Sequence, residues 1–227
     1  MGTLITPPHP APFSESLYDV FLYALKTNGV DPGASVLDVF AGVGGIHRLD
    51  EFGYHTVGVE IESDWCTPGT IQGDATQLPF VDGAFDAVIT SPAFGNRMSD
   101  NYNVQDSSLR RNYRLYLGHE LAPRNTGGMP WGSAYRTMHA VAWFEVWRVL
   151  KPGGLFVLDH KDHIKDHRRQ HVTNWHCQVL WGLGFQLVEV IRPEVKGFRY
   201  GENRENPGTQ PFRLPERVLV FLKPQVT

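Results

Sequence analysis

The chain has 227 residues, of which 41% are hydrophobic and 20% are charged, and its formal net charge at pH 7 is −3. This length and composition predict one globular domain and exclude a disordered, fibrous or strongly cationic chain. Two cysteines are too few for a disulfide framework and suit the reducing cytoplasm. No apolar run reaches the roughly 20 residues of a membrane span, so we expect no membrane partner.

Helical and strand patterns alternate along the chain. Apolar residues at helical spacing predict helices over 14–27, 46–51, 138–150 and 172–183. Short apolar runs predict strands at 36–40, 56–60, around Ile71, and at 85–90, 155–159, 187–191 and 218–222. This alternation indicates an open α/β sheet that is mostly parallel. The last of these helices carries Trp175 and Trp181, which we expect in the core.

The segment at about 95–135 has no clear periodicity, and a stretch of this length inside a domain is commonly functional. It combines arginine with aromatic side chains, which suit phosphate contact and base stacking. The candidate nucleic-acid contacts are Arg97, Arg110, Arg111, Tyr113, Arg114 and Trp131. A solvated lid over a small substrate is the alternative. We therefore expect a single domain over 1–227 with an inserted lid or recognition segment.

Residues that suit a nucleoside cofactor stand at the ends of the first three predicted strands. A glycine loop beginning at Gly42 lets backbone approach a ligand closely, although His47 occupies the place of the third glycine of a dinucleotide fingerprint. Glu60 can accept both hydroxyls of a ribose, and Asp74 with the Ala75 amide can contact an adenine edge. The carboxyl ends of parallel strands share one edge of a sheet, so this order predicts a nucleoside-cofactor site.

The sequence VLDVFAGVG at 36–44 resembles motif I of the class I S-adenosylmethionine-dependent methyltransferases. Glu60 matches the ribose acid of that family, and Asp74 matches its adenine-contacting acid. The resemblance covers about 34–224. It implies a Rossmann-like sheet of seven mostly parallel strands, helices on both faces, an antiparallel last strand, and S-adenosyl-L-methionine as the cofactor. The cofactor-binding residues it implies are Asp38, Phe40, Ala41, Gly42, Gly44, Glu60, Ile61, Asp74, Ala75 and Ser91.

The sequence SPAF at 91–94 resembles the serine-proline-proline-tyrosine signature of amino-group DNA methyltransferases, with Ala93 and Phe94 in place of the second proline and the tyrosine. The form that begins with serine resembles the cytosine enzymes more than the adenine enzymes. The Ser91 hydroxyl and the Pro92 carbonyl can accept the two hydrogens of an exocyclic amine. Phe94 can stack on an extruded base. The resemblance implies a site-specific DNA methyltransferase in which these three residues are catalytic.

Several other interpretations fit parts of the sequence. The same chemistry on RNA or on a small-molecule amine remains open, as does a non-catalytic nucleic-acid-binding protein on this scaffold. A carbon-5 cytosine methyltransferase is disfavoured, because Ser91 and Pro92 stand where that class needs a proline followed by a nucleophilic cysteine. A nicotinamide enzyme is disfavoured by His47. The histidines and aspartates of 159–171 straddle a strand end and a polar loop, so we expect no metal site there. The sequence indicates no particular oligomeric state.

Overall fold

The computed structural model describes residues 13–95, 113, 117–165, 168–193 and 215–225. The helices in these ranges are α1 (Glu15–Thr27), α2 (Ser133–Val149) and α3 (Val172–Leu183). The strands are β1 (Ser35–Asp38), β2 (His55–Glu60), β3 (Thr70–Gln72), β4 (Phe85–Thr90), β5 (Leu150–His160), β6 (His163–Lys165), β7 (Arg168–Gln170), β8 (Gln186–Ile191) and β9 (Arg217–Leu222). Short 3₁₀ turns occupy Gly45–Phe52, Ser63–Trp65 and Thr126–Gly128.

Seven strands form one sheet in the order β3-β2-β1-β4-β5-β9-β8. Strand β9 is antiparallel to both of its neighbours, and the pairs among β3, β2, β1, β4 and β5 are parallel. The predicted seven-stranded, mostly parallel sheet with an antiparallel last strand is therefore confirmed. The strand order reverses between β1 and β4, and sheets of this kind bind ligands beyond the carboxyl ends of the strands at such a point.

Neighbouring residues of β1 face opposite sides of the sheet and meet different helices. Leu37 belongs to a core cluster with Trp143 of α2 and Leu180 of α3. Val36 belongs to a second cluster with Phe21 of α1. The period of two in a strand sends adjacent side chains to opposite faces, so helices cover the sheet on both sides, as predicted.

Most predicted elements are present, with shifted boundaries. The predicted first helix is α1, with Ser14 at its N-cap, and the predicted helix at 46–51 is the 3₁₀ segment Gly45–Phe52. Helix α2 begins at Ser133, so the last residues of the predicted insertion are helical. Strand β5 begins at Leu150 rather than 155, because Leu150 pairs with Phe85 before the strand is displaced by a bulge.

Two features of the fold differ from the sequence expectation. Trp181 is 53% exposed, so its predicted place in the core is wrong: it lies on the outer side of α3, whereas Leu180 faces the sheet. The hairpin formed by β6 and β7 has no counterpart among the predicted strands. No helix in the described ranges combines the length and apolarity needed to cross a membrane.

Candidate active site

A cleft opens at the carboxyl ends of β1, β2, β3 and β4. Six residues predicted to bind the cofactor line it, namely Phe40, Glu60, Ile61, Asp74, Ala75 and Ser91. Ala41, Gly42 and Gly44 lie in the loop that follows β1, and Asp38 ends that strand. The structure thus brings the predicted cofactor residues together around one cleft and its supporting loop.

Asp38 is completely buried at the end of β1. Its Oδ1 accepts hydrogen bonds from the Thr90 hydroxyl at 2.6 Å and from the Phe40 amide at 3.0 Å. Its Oδ2 has no hydrogen-bond partner among the described residues. Burial raises the pKa of Asp38 to about 7, although the two hydrogen bonds act in the opposite direction. A buried carboxylate oxygen without a partner can accept a cationic group of a ligand.

Glu60 is oriented by the backbone on both sides. Its Oε2 accepts the Gly42 amide at 2.8 Å, and its Oε1 accepts the Glu62 amide at 2.9 Å. Gly42 has a φ of 52°, in the left-handed region that favours glycine, which allows the loop after β1 to aim this N–H at the carboxylate. Burial raises the pKa of Glu60, and the backbone hydrogen bonds oppose it. A carboxylate offers about four acceptor positions, so acceptor capacity remains for ligand hydroxyls.

Asp74, the predicted adenine acid, also has partners on both oxygens. Its Oδ1 accepts the amide and hydroxyl of Thr76, at 2.8 and 2.7 Å, and its Oδ2 accepts Arg124 Nε at 2.6 Å. Burial raises the pKa of Asp74, but these hydrogen bonds outweigh it and leave the pKa below its ordinary value. Arg124 was noted in the sequence only as one of the arginines of the segment at about 95–135. Its contact with Asp74 was not predicted, because that contact is long-range and has no local sequence signal.

Arg124 belongs to a strap formed by residues 117–128, which crosses this end of the cleft. Glu62 Oε1 holds the strap by accepting the Ala122 amide at 2.8 Å and Asn125 Nδ2 at 2.7 Å. Residues 124–127 line the cleft itself. This described part of the predicted insertion therefore contacts the loops after β2 and β3, on the side where a nucleoside is predicted.

Ser91 stands at the end of β4, and its hydroxyl donates a 2.9 Å hydrogen bond to Asp159 Oδ2 at the end of β5. Asp159 is buried, and its Oδ1 has no partner among the described residues. Burial raises the pKa of Asp159 to about 8. Glu216 raises it further, while Ser91 and Lys161 act to lower it. Because the Ser91 proton is directed at Asp159, the hydroxyl oxygen retains lone pairs for another donor.

The turn that follows Ser91 is held from α2. The Tyr135 hydroxyl donates to the Ala93 carbonyl at 2.7 Å, at the position where the resembled signature has its second proline. Trp143 Nε1 donates to His176 Nδ1 at 2.9 Å, and His176 Nε2 lies 3.3 Å from Tyr135 Oη. Burial holds the pKa of His176 well below its ordinary value. The ring is therefore neutral with its proton on Nε2, and a chain of donors runs from Trp143 to Ala93.

The predicted substrate-binding residues fall into three groups. Arg97, Arg110, Arg111 and Arg114 lie outside the described residues. Tyr113 is buried edge-to-face against Trp65, with ring centroids 5.6 Å apart, and lines the cleft; burial raises its pKa to about 12. Trp131 is half-buried, and its amide donates to the Gly95 carbonyl at 2.9 Å, which places it beside the turn. Pro92 is buried, and Phe94 packs edge-to-face on His160 with centroids 4.8 Å apart.

No protein-family model matches the chain, and no curated protein matches it. Solved structures do. A Haloferax volcanii complex of the Trm112 methyltransferase activator with a methyltransferase is similar with a TM-score of 0.57 at 16% identity, covering 92% of this chain and 90% of that one. An S-adenosylmethionine-dependent methyltransferase from Methanosarcina mazei gives 0.56 at 15% identity, covering 95% and 100%. The [4+2]-cyclase SpnF gives 0.56 at 14% identity, covering 96% and 86%.

At these identities the likeness concerns the fold. The chain has the fold of the class I S-adenosylmethionine-dependent methyltransferases. The presence of a cyclase among the similar structures shows that this fold serves more than one reaction. The side chains of the cleft, and not the fold, therefore determine the reaction.

Proposed function

We propose that this protein binds S-adenosylmethionine in the cleft and transfers its methyl group to an exocyclic amino nitrogen of a base in DNA, with cytosine preferred over adenine. One observation carries this proposal: the Ser91 hydroxyl, held by Asp159 at 2.9 Å, lines the same cleft as Glu60 and Asp74. An acceptor for an amine thus adjoins a set of groups that suit a nucleoside.

The residues of the cleft fit the cofactor. The unpartnered Oδ2 of Asp38 suits the ammonium group of its amino-acid part. The remaining acceptor capacity of Glu60 suits the ribose hydroxyls, and Asp74 with Ala75 suits the adenine edge. When bound, S-adenosylmethionine supplies a methyl group that is already activated on a sulfonium.

The substrate amine needs acceptors because its lone pair is delocalised into the base. Hydrogen bonds from the two N–H groups to Ser91 Oγ and to the Pro92 carbonyl draw the lone pair out of conjugation and direct it at the methyl carbon. A nitrogen–carbon bond forms as the sulfur–carbon bond breaks, and the nitrogen then loses one proton. Ser91 takes this proton on Oγ and gives its own to Asp159, whose ionised form is the acceptor.

The turn also offers aromatic surface beside Ser91. Phe94 is half-buried, and stacking of an extruded base on such a ring contributes about 1–3 kcal/mol, comparable with the few kcal/mol needed to flip a base. The same two acceptors serve an amine of RNA or of a small molecule. Methyl transfer to an amine of RNA or of a small molecule is therefore the alternative function.

The test supplies the protein with S-adenosylmethionine carrying a labelled methyl group. Duplex DNA, single-stranded DNA, RNA and a pool of small metabolites are offered in parallel, with Ser91→Ala as the matched variant. Label in DNA that is lost in Ser91→Ala supports the proposal. Label only in RNA or only in the metabolite pool moves the activity to the alternative substrate. Cofactor binding by calorimetry without label in any fraction supports a non-catalytic binding protein.

A further inference from the structure

Two aromatic rings beside the catalytic turn 91–95 each carry a cation over the ring face. The guanidinium carbon of Arg136 lies 5.6 Å from the ring centroid of Trp131. The Nζ of Lys161 lies 5.0 Å from the ring centroid of Phe94. Arg136 comes from α2, whereas Lys161 follows the end of β5. Two cation–aromatic pairs thus lie beside the turn, and their cations come from two different parts of the fold.

Both pairs are fixed relative to Ser91. The Trp131 amide is bonded to the Gly95 carbonyl at 2.9 Å, and its ring packs edge-to-face on Trp175 with centroids 5.6 Å apart. Phe94 lies within the turn itself and rests on the buried His160. A ligand that stacks on either ring would therefore have a fixed position relative to the Ser91 hydroxyl.

Among the described residues neither of these two cations forms a short ion pair, although Lys161 also lowers the pKa of Asp159. Arg136 is exposed, and it pairs with no carboxylate among the described residues; its Nε donates to the Gly132 carbonyl at 3.3 Å. Lys161 is 38% exposed and has one long ion pair, 3.5 Å to Glu216. The Arg48–Tyr18 pair, which lies next to Gly45 after β1, differs, because Glu15 binds the Arg48 guanidinium at 2.6 and 2.7 Å. The Arg48 guanidinium thus has a close carboxylate partner, whereas in the described ranges Arg136 has none and Lys161 has only the long contact with Glu216.

We propose, on the premise of the proposed function, that the Trp131 ring and the two cations Arg136 and Lys161 bind the nucleotides flanking the target base, while Phe94 receives the target base itself. Each ring stacks on a base, and each cation contacts the adjoining phosphate, which is the combination found where proteins bind single strands. The substrate is then a polynucleotide strand that continues on both sides of the target. A free nucleoside or a small amine leaves the Trp131 ring and both cations without a ligand. The residues that this adds to the site are Arg136, Lys161 and Trp175.

The experiment compares a short single-stranded oligonucleotide with the 5′-monophosphate of the same target nucleoside. Binding is followed by tryptophan fluorescence at several salt concentrations, and methyl transfer is measured on both substrates. Arg136→Ala and Lys161→Ala are the test variants. Arg48→Ala, which removes the Arg48–Tyr18 pair, is the matched control. Arg136 is exposed, so its removal leaves the core intact.

We expect wild-type kcat/KM to be far higher for the oligonucleotide than for the monophosphate. Each test variant should make the slope of log affinity against log salt shallower by about 0.7, the value for one lost phosphate contact on a single strand. Trp131→Ala should weaken oligonucleotide binding by about 5- to 150-fold through lost stacking, whereas Arg48→Ala should leave oligonucleotide binding unchanged.

Equal kcat/KM for the two substrates, with salt slopes unchanged in both test variants, overturns this inference and leaves the proposed function standing. If the wild type methylates no base at all, the proposed function fails. In that case the oligonucleotide-binding measurement still tests whether the two cation–aromatic pairs bind a strand, because binding requires no turnover.

Discussion

The Ser91 hydroxyl and the Asp159 carboxylate join the ends of β4 and β5 through a 2.9 Å hydrogen bond. Only the ionised form of Asp159 can take up the Ser91 proton when Ser91 Oγ takes a proton from the amine. Burial, with Glu216 nearby, raises the pKa of Asp159 to about 8, against the opposing effects of Ser91 and Lys161. We therefore expect kcat to rise with pH and to level off above about 8.

The matched variant for this pH profile is Asp159→Asn, which keeps the shape of the side chain and cannot ionise. Its profile should be flat, with kcat reduced by about 100-fold, a typical effect of losing general acid–base assistance. The native carboxyl favours its protonated form in the fold, so its contribution to stability is lost as pH rises through about 8. Asp159→Asn should therefore melt at a higher temperature relative to wild type at pH 9 than at pH 6. An unchanged kcat profile in this variant would remove Asp159 from the mechanism.

Ser91→Ala tests the amine acceptor directly. We expect methyl transfer to fall by about 100-fold or more, because the amine loses one of its two acceptors and its route to Asp159. Cofactor affinity measured by calorimetry should change far less than methyl transfer, because Ser91 is only one of several predicted cofactor residues that line the cleft. A variant that transfers methyl groups at the wild-type rate is incompatible with the proposed chemistry.

Asp38 should make cofactor binding depend on pH. Its pKa is about 7 in the free protein, raised by burial, and the cofactor ammonium favours the ionised form. Affinity should then fall by up to about tenfold per pH unit as pH drops below 7, and binding at pH 6 should release a proton. Calorimetry in buffers of different ionisation enthalpy measures this release. Asp38→Asn should bind more weakly and show no proton release; a proton release equal to wild type would assign the effect to another group.

A site residue could be predicted from the sequence where a short stretch of residues marks it, but not where its role depends on a contact with a distant part of the chain. Glu60 and Asp74 were predicted because strand periodicity and turn residues mark strand ends, and the ends of parallel strands meet at one edge. Asp38 and Ser91 were implied by the resemblance of 36–44 and 91–94 to family motifs. Each of these positions can be read from a window of a few residues.

The partners of those residues could not be predicted in the same way. The bonds from Arg124 to Asp74, from Ser91 to Asp159 and from Tyr135 to Ala93 join residues far apart in the chain. Tertiary packing sets these contacts, and no local pattern encodes them. The same reason explains Trp181: a helical spacing indicates a buried stripe, but the sheet against which α3 packs decides which side is buried.

The roles of Asp74 and Arg124 in cofactor binding can be distinguished by a pair of variants. If Asp74 contacts the adenine, Asp74→Asn should weaken cofactor binding by about 10-fold or more, the effect of losing a hydrogen bond to a charged group. Arg124→Ala removes an ion pair in which Arg124 is 55% exposed, so its effect should stay within about fivefold. Both are measured by calorimetry at one salt concentration. Equal losses in the two variants would mean that Asp74 serves to hold the strap 117–128 and does not bind the cofactor.

Tyr135→Phe tests whether the turn is held from α2. It leaves the Ala93 carbonyl without its donor, so we expect the free energy of unfolding to fall by about 1–3 kcal/mol. The control is Tyr54→Phe, which removes a similar buried bond of 3.0 Å to the Val30 carbonyl, away from the cleft. Both variants should lose similar stability in urea, but only Tyr135→Phe should lower kcat. Equal kcat in the two variants would show that the Tyr135 bond is purely structural.

The position of the transferred methyl group tests most directly whether the protein methylates an exocyclic amino nitrogen of a DNA base. DNA methylated by the protein from labelled S-adenosylmethionine is digested to nucleosides and analysed by mass spectrometry. Our account predicts label on an exocyclic amino nitrogen, N4 of cytosine in preference to N6 of adenine, and none in DNA treated with Ser91→Ala. Label on carbon 5 of cytosine, or on no DNA base while another substrate is labelled, would contradict it.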